Sequence, residues 1–183
     1  MKKTAILFLV WLACQSSVVA AEDAGVQEIK KLYAQTAAAI ALAQKSEVGG
    51  LYCSELIVNS RGGSWRAVGN YVKKAVFWYS DQPEFAEMAE QKAETVLAKV
   101  EVSETSAARF RYSEFLYAGG RLRFFFRSDK NGDEPALEER VYFWDNRLPL
   151  RLPGPGNAAA LPVEAIFKEA QYWQRLFLLS FAE

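Results

Sequence analysis

The chain contains no histidine among its 183 residues. Without an imidazole, neither a Ser-His-Asp triad nor a Cys-His nucleophile pair can form. Zinc, copper or haem sites that need a histidine ligand are excluded for the same reason. The most versatile general base near neutral pH is also absent. The lack of histidine therefore excludes many catalytic mechanisms for this chain, and we expect it to use no cofactor.

The chain also lacks an excess of charge of either sign, with 22 Lys and Arg against 22 Asp and Glu. A nucleic-acid-binding domain usually carries a basic excess, so we do not expect nucleic acid as a partner. After residue 21 no apolar stretch is long enough to cross a bilayer. We therefore expect no transmembrane segment.

Residues 1–21 have the features of a secretion signal. Lys2 and Lys3 form a basic start, and residues 5–13 form an apolar stretch too short to span a membrane. Small residues follow at the two positions that a signal peptidase reads, the second of them Ala21. We predict cleavage after Ala21 and export to the periplasm or the extracellular space.

The alternative to this cleavage is a lipid anchor at Cys14, because residues 12–14 partly resemble a lipoprotein box. Either way, residues 22–183 form one domain with a slightly acidic balance, since Lys2 and Lys3 are lost. Cys53 is then the only thiol that can stay free, so no intramolecular disulfide is expected. It lies in a predicted strand, where we expect a small buried thiol.

Hydrophobic periodicity predicts an α+β domain. An amphipathic helix spans residues 24–47, and a second helix, with an unusually apolar end, spans residues 162–181. Between them, alternating segments predict a meander of six or seven antiparallel strands. We expect the N-terminal and C-terminal helices to pack on one face of this sheet, with burial of the second helix favoured over a homo-oligomer contact.

Two glycines between alternating segments mark the clearest hairpin, because a tight primed turn needs positive φ at both central residues. They are Gly119 and Gly120. Uninterrupted pairing across this turn places Phe124 on the core face and Phe125 on the opposite face, among arginines.

An aromatic residue among charged side chains indicates an interaction surface. We therefore interpret Phe125, with Tyr142 and Trp144 on a neighbouring strand, as a candidate recognition patch. Arg121 and Arg123 flank it and complete the candidate binding residues. Phe124 and its neighbours also suggest a base-stacking platform, but export and the charge balance argue against it.

Carboxylate pairs remain as candidate catalytic groups, because a glycosidase needs two acids with separated pKa values. Glu114 and Glu138 could share a sheet face, although nearby arginines favour cross-strand ion pairs. Residues 129–133 resemble the start of a calcium loop, but the later ligand positions do not match an EF-hand. No catalytic residue and no metal site is predicted.

Three segments carry a family resemblance: residues 112–117, 120–124 and 138–143. Their strand and turn pattern resembles small secreted bacterial proteins of unknown function, which have a leading helix followed by a sheet meander. The resemblance covers roughly residues 94–152. It implies the fold and brings no activity, cofactor or site residue.

Two functions remain compatible with these residues. The first is a non-catalytic module of the cell envelope that binds a protein, a peptide or a glycan through the sheet face or the terminal helix. The second is a carboxylate-dependent enzyme that acts on a saccharide. We favour the first, because the acids are accompanied by arginines.

Overall fold

The computed structural model describes residues 4–46, 48–66, 69–88, 92–144, 149–154 and 160–182. Over residues 4–23 this description covers the backbone alone. The side chains of the predicted signal, Cys14 among them, lie outside the described residues.

Three α-helices and eight strands form the described part of the chain. The helices are α1 Thr4–Gln44, α2 Pro83–Met88 and α3 Val163–Leu179, and a 3₁₀ turn spans Ala93–Val96. The strands are β1 Tyr52–Val58, β2 Ser64–Trp65, β3 Gly69–Tyr79, β4 Leu97–Ser106, β5 Arg109–Ala118, β6 Arg121–Asn131, β7 Leu137–Tyr142 and β8 Leu150–Pro153. Helix α1 begins earlier than the helix predicted from residue 24. None of the described helices is long and apolar enough to cross a membrane.

The strands form one antiparallel sheet in the order β1-β3-β4-β5-β6-β7-β8, with β2 paired to β3. This confirms the predicted α+β meander. The second predicted strand is divided into β2 and β3, and Gly69 at the start of β3 has a φ of 75° that favours glycine. Strand β8 lies at an edge, as the preceding Pro149 predicts.

The hairpin of β5 and β6 contains a β-bulge close to its turn. Gly119 and Gly120 have φ values of 58° and 73°, which confirms the predicted turn geometry. Tyr117 then pairs with Leu122, but Leu116 pairs with Phe124. Arg123 is therefore an extra residue without a partner of its own on β5.

The bulge reverses the faces of every later residue of β6, because side chains alternate along a strand. Phe125 pairs with Phe115, their ring centroids are 5.2 Å apart, and both residues are fully buried. The prediction that Phe125 faces outward among arginines was wrong. It assumed an uninterrupted ladder, and one inserted residue turns Phe125 into the core.

Helices α1 and α3 pack on opposite faces of the sheet. Trp173 and Phe177 of α3 share a core with Phe125, whereas Ile29 of α1 packs with Phe124. Phe124 and Phe125 are consecutive in a strand, so they point to opposite faces. The prediction that both helices cover one face was therefore wrong. Strand β6 carries aromatic side chains on both sides, and each side needs its own cover.

The segment before α3 is fixed to the sheet by a buried ion-pair group. Glu139, 5% exposed, lies 3.2 Å from the guanidinium of its cross-strand neighbour Arg127. It also accepts hydrogen bonds from Arg151 and from the Leu161 backbone N–H. This buried cross-strand ion pair joins Arg127 to Glu139, an acid that the expectation for Glu114 and Glu138 did not include.

The apolar end of α3 packs within the chain. Phe177 is fully buried, and the rings of Tyr79 and Phe177 lie 5.5 and 5.2 Å from the ring of Phe181. Leu176 and Leu178 are partly buried against the same core. These contacts involve most of the apolar side chains at the end of α3. A homo-oligomer contact through α3 stays a prediction.

Cys53 lies in β1 and is exposed. The expectation of a buried thiol was wrong, because β1 is an edge strand whose residues are all exposed or only partly covered.

Candidate functional site

Charged side chains are buried on the sheet face that α1 covers. Glu101 and Glu114 are direct cross-strand partners, and Lys99 lies on the same face two residues before Glu101. The Lys99 Nζ is 2.7 Å from Glu101 Oε1 and 3.3 Å from Glu114 Oε2. Lys99 and Glu114 are only 5% and 7% exposed. One ammonium therefore bridges two carboxylates in a nearly dry environment.

Aromatic side chains complete this group and connect it to α1. The hydroxyl of Tyr33 donates a 2.8 Å hydrogen bond to Glu114 Oε2, and the hydroxyl of Tyr112 donates a 2.7 Å bond to Oε1. Trp78 Nε1 donates a 3.0 Å bond to Glu101 Oε2. We call these residues, with Lys99, the Lys99 cluster. It ties α1 to the sheet through groups far apart in the sequence.

The pKa shifts in the cluster favour the charged forms of Lys99 and Glu101 and the neutral form of Tyr112. Burial opposes the charged form of Lys99, but Glu114 and Glu101 outweigh it, so its pKa is raised. Burial likewise opposes charge on Glu101, but hydrogen bonds from Lys99 and Trp78 hold the pKa of Glu101 below its ordinary value. Burial raises the pKa of Tyr112 strongly. None of these shifts moves a pKa toward neutral pH. Lys99 and Glu101 therefore keep their opposite charges there, and we describe the cluster as an electrostatic clamp.

A cavity of about 300 Å³ lies beside the cluster, between α1 and the sheet. Half of its lining residues are aromatic, among them Phe124, Phe126 and Tyr142. The charged residues Lys30, Glu114 and Arg140 also line it. This volume is at the lower end of small-molecule sites.

The two acids considered for glycosidase chemistry are each held by a cation. Glu138 accepts a 2.7 Å hydrogen bond from Arg140, and Glu114 is bound by Lys99. Across the sheet, Glu114 pairs with Phe126 and Phe126 with Arg140. Arg140 of β7 therefore lies in the same cross-strand row as Glu114. This arrangement favours ion pairing over a pair of acids that share a substrate.

The segment considered as a calcium loop is largely strand. Asp129 belongs to β6, and its carboxylate accepts hydrogen bonds from Arg109 and Arg111. The bond from Arg109 is the main cause of the lowered pKa of Asp129. Within the described ranges no group of three or more Cys, Asp or Glu side chains is placed to hold a metal ion.

A larger cleft of about 450 Å³ lies where the β5–β6 turn meets α3. We call it the hairpin cleft. Its lining includes Arg121, Arg123, Phe143, Trp144, Phe167 and Gln174. Gln174 Nε2 donates a 3.1 Å hydrogen bond to the Gly120 carbonyl, which fixes the turn against α3. The wall of this cleft combines two guanidinium groups with aromatic rings.

Arg123 and Trp144 also line a third cavity of about 330 Å³ on the α1 side, with Glu28, Lys31 and Gln35. The bulge places Arg123 at the boundary between these two spaces. Trp144 is 7% exposed, and its indole Nε1 finds no hydrogen-bond acceptor in the part of the chain that the structure describes.

Glycine is required where α1 crosses Trp144. A Cβ at Gly25 would lie 2.9 Å from the indole Nε1, closer than a side chain can approach. The helix backbone therefore lies directly against the indole ring and keeps it nearly inaccessible to solvent.

The structure brings together three of the five predicted site residues. Arg121, Arg123 and Trp144 line the hairpin cleft. Tyr142 is 6% exposed and lines the cavity under α1, and Phe125 is buried in the α3 core. The predicted aromatic patch is therefore divided: Tyr142 lies on the α1 face, Phe125 lies on the α3 face, and Trp144 lines the hairpin cleft.

Sequence reasoning did not identify Lys99 or Tyr33, which hold the electrostatic clamp together. Lys99 alternates with buried apolar residues of β4, and a polar strand face under a helix has the same pattern as one facing water. The contribution of Gln174 was also missed, because only the turn position relative to α3 reveals it.

Comparison with known proteins gives no relative: no protein-family description, curated protein or solved structure matches this chain.

The clamp predicts unequal effects for two similar substitutions. Glu114→Gln leaves the buried Lys99 ammonium with one carboxylate fewer, and we expect a loss of about 2–4 kcal/mol in the free energy of unfolding. The matched control Glu138→Gln removes a partly exposed ion pair and should cost about 1 kcal/mol or less. Urea unfolding measures both, and equal losses would show that the cluster is not an essential clamp.

Proposed function

We propose that this chain is a non-catalytic binding module of the bacterial cell envelope that takes a protein, peptide or glycan segment into the hairpin cleft. The observation that carries this proposal is the absence of ion-pair partners, among the described residues, at two arginines that line the cleft. Neither Arg121 nor Arg123 forms an ion pair with a described residue, whereas Arg109, Arg111 and Arg140 elsewhere in the sheet do.

Guanidinium groups that have no ion-pair partner among the described residues, in a cleft with aromatic walls, favour recognition of a polar ligand. Arginine presents a planar set of donors and keeps its charge at any physiological pH. The rings of Phe143 and Phe167 lie 4.9 Å apart by their centroids and provide apolar contact area at the same cleft. Binding sites generally combine an apolar wall with a few polar groups in this way.

The absence of catalysis is supported by the chemistry of the acids and bases. The chain has no histidine. Glu101 and Glu114 are both bound by Lys99, and Glu114 also accepts hydrogen bonds from two tyrosine hydroxyls, so these carboxylates are already engaged. A saccharide-cleaving role would need two acids free of such partners.

The envelope location is proposed from residues 1–21. We expect the mature chain to begin at Glu22 and to lie in the periplasm or outside the cell. Lipidation at Cys14 is the competing form, in which the same domain is held at a membrane as a lipoprotein.

Intact-mass measurement of the protein purified from its native host tests the export step. The expected mass corresponds to a chain that begins at Glu22. A mass that includes residues 1–21 would contradict export through this signal. A chain that begins at a lipid-modified Cys14 would contradict cleavage after Ala21 and retain the envelope location.

Nuclear magnetic resonance of ¹⁵N-labelled protein tests binding at the cleft. We expect short peptides or oligosaccharides to cause saturable shifts in the β5–β6 turn and at Trp144. The double variant Arg121→Gln/Arg123→Gln should lose these shifts. Arg175→Gln is the matched control, because Arg175 is an exposed α3 residue outside the cleft lining, and it should keep them. Shifts that persist in the double variant would contradict the proposed site.

A further inference from the structure

The described lining of the hairpin cleft has a one-sided charge. Arg121 and Arg123 contribute two positive charges, and no Asp or Glu is among the described residues that line it. Arg121 is exposed and Arg123 is partly exposed, so neither has paid the full desolvation cost of burial. Two arginines in the lining of one concave space favour an anion.

The indole of Trp144 lies at the boundary of the same cleft. Its Nε1 is buried against the α1 backbone at Gly25, and Trp144 is 7% exposed and lines the cleft. The indole N–H is therefore not offered to a ligand, but its signal reports on changes at the cleft wall.

We propose that the hairpin cleft binds a carboxylate group carried on an apolar body, with Arg121 and Arg123 as the recognising donors. This inference rests on the proposed function, since it names the ligand class of the same cleft. The planar carboxylate matches the paired donors of a guanidinium.

The apolar part of the ligand is inferred from the opposite wall. Phe143 and Phe167 lie there, with Leu122 and Val163 also in the lining. A phosphate would gain from the cations but not from this wall. The volume of about 450 Å³ accommodates one side chain or a short acyl chain. The C-terminal residue of a peptide and an acyl carboxylate share this chemistry.

Two matched pairs of probes separate these sources and isolate the charge. N-acetyl-L-leucine represents a peptide C-terminus and hexanoate represents an acyl chain. N-acetyl-L-leucinamide and hexanamide have the same apolar bodies without the charge. Each is titrated into the ¹⁵N-labelled protein while the indole N–H signals are followed, and Trp144→Phe identifies the Trp144 signal.

We expect at least one carboxylate probe to shift the Trp144 indole signal saturably and to bind at least about tenfold more tightly than its amide. The preferred carboxylate identifies the source. Arg123→Gln should weaken binding by about tenfold or more, and Arg121→Gln tests the same charge at an exposed position where folding is not at risk. Arg175→Gln should leave the affinity unchanged.

Equal binding of the carboxylates and their amides would overturn the carboxylate inference and leave the binding module intact. Binding that is insensitive to both Arg121→Gln and Arg123→Gln would also overturn it. If none of the four probes binds, and the peptides and oligosaccharides fail as well, both the inference and the proposed function are wrong.

Discussion

The register of the β5–β6 hairpin is the constraint on which the rest of the structure depends. Arg123 is inserted into β6 without a partner of its own, so Phe124 joins the α1 side and Phe125 the α3 side. Moving the pairing by one residue would exchange these faces for every later residue of β6. The same insertion places Arg123 with Trp144 in the lining of both the hairpin cleft and the cavity on the α1 side. One local irregularity therefore sets both cores and the candidate site.

The clamp under α1 determines how that helix sits on the sheet. An apolar helix face alone tolerates sliding, whereas the Tyr33 hydroxyl has one acceptor position at Glu114. Burying Lys99 is costly, and the two carboxylates offset that cost by direct contact. We infer that the cluster fixes the position of α1 more than it adds net stability. A defined position of α1 in turn keeps Gly25 against Trp144 and fixes one wall of the adjoining cavity.

Much of the fold followed from the sequence, because alternation and turn chemistry are local signals. The paired glycines, the order of the strands and the edge position after Pro149 were all predictable. The bulge was not, since Phe124, Phe125 and Phe126 offer an apolar side chain to either face and so do not select a register. The placement of the two helices on opposite faces could not be predicted for the same reason. At the site, Arg121, Arg123 and Trp144 were predicted, but Lys99 and Tyr33 meet only through tertiary packing.

Backbone nuclear Overhauser contacts between β5 and β6 test the central claim most directly, because they report strand register without any substitution. The bulged register predicts cross-strand contacts between Phe115 and Phe125 and between Leu116 and Phe124. An uninterrupted ladder would instead give contacts between Phe115 and Phe124 and between Leu116 and Arg123. That second pattern would contradict the account, since it would return Phe125 to the opposite face and remove Arg123 from the hairpin cleft.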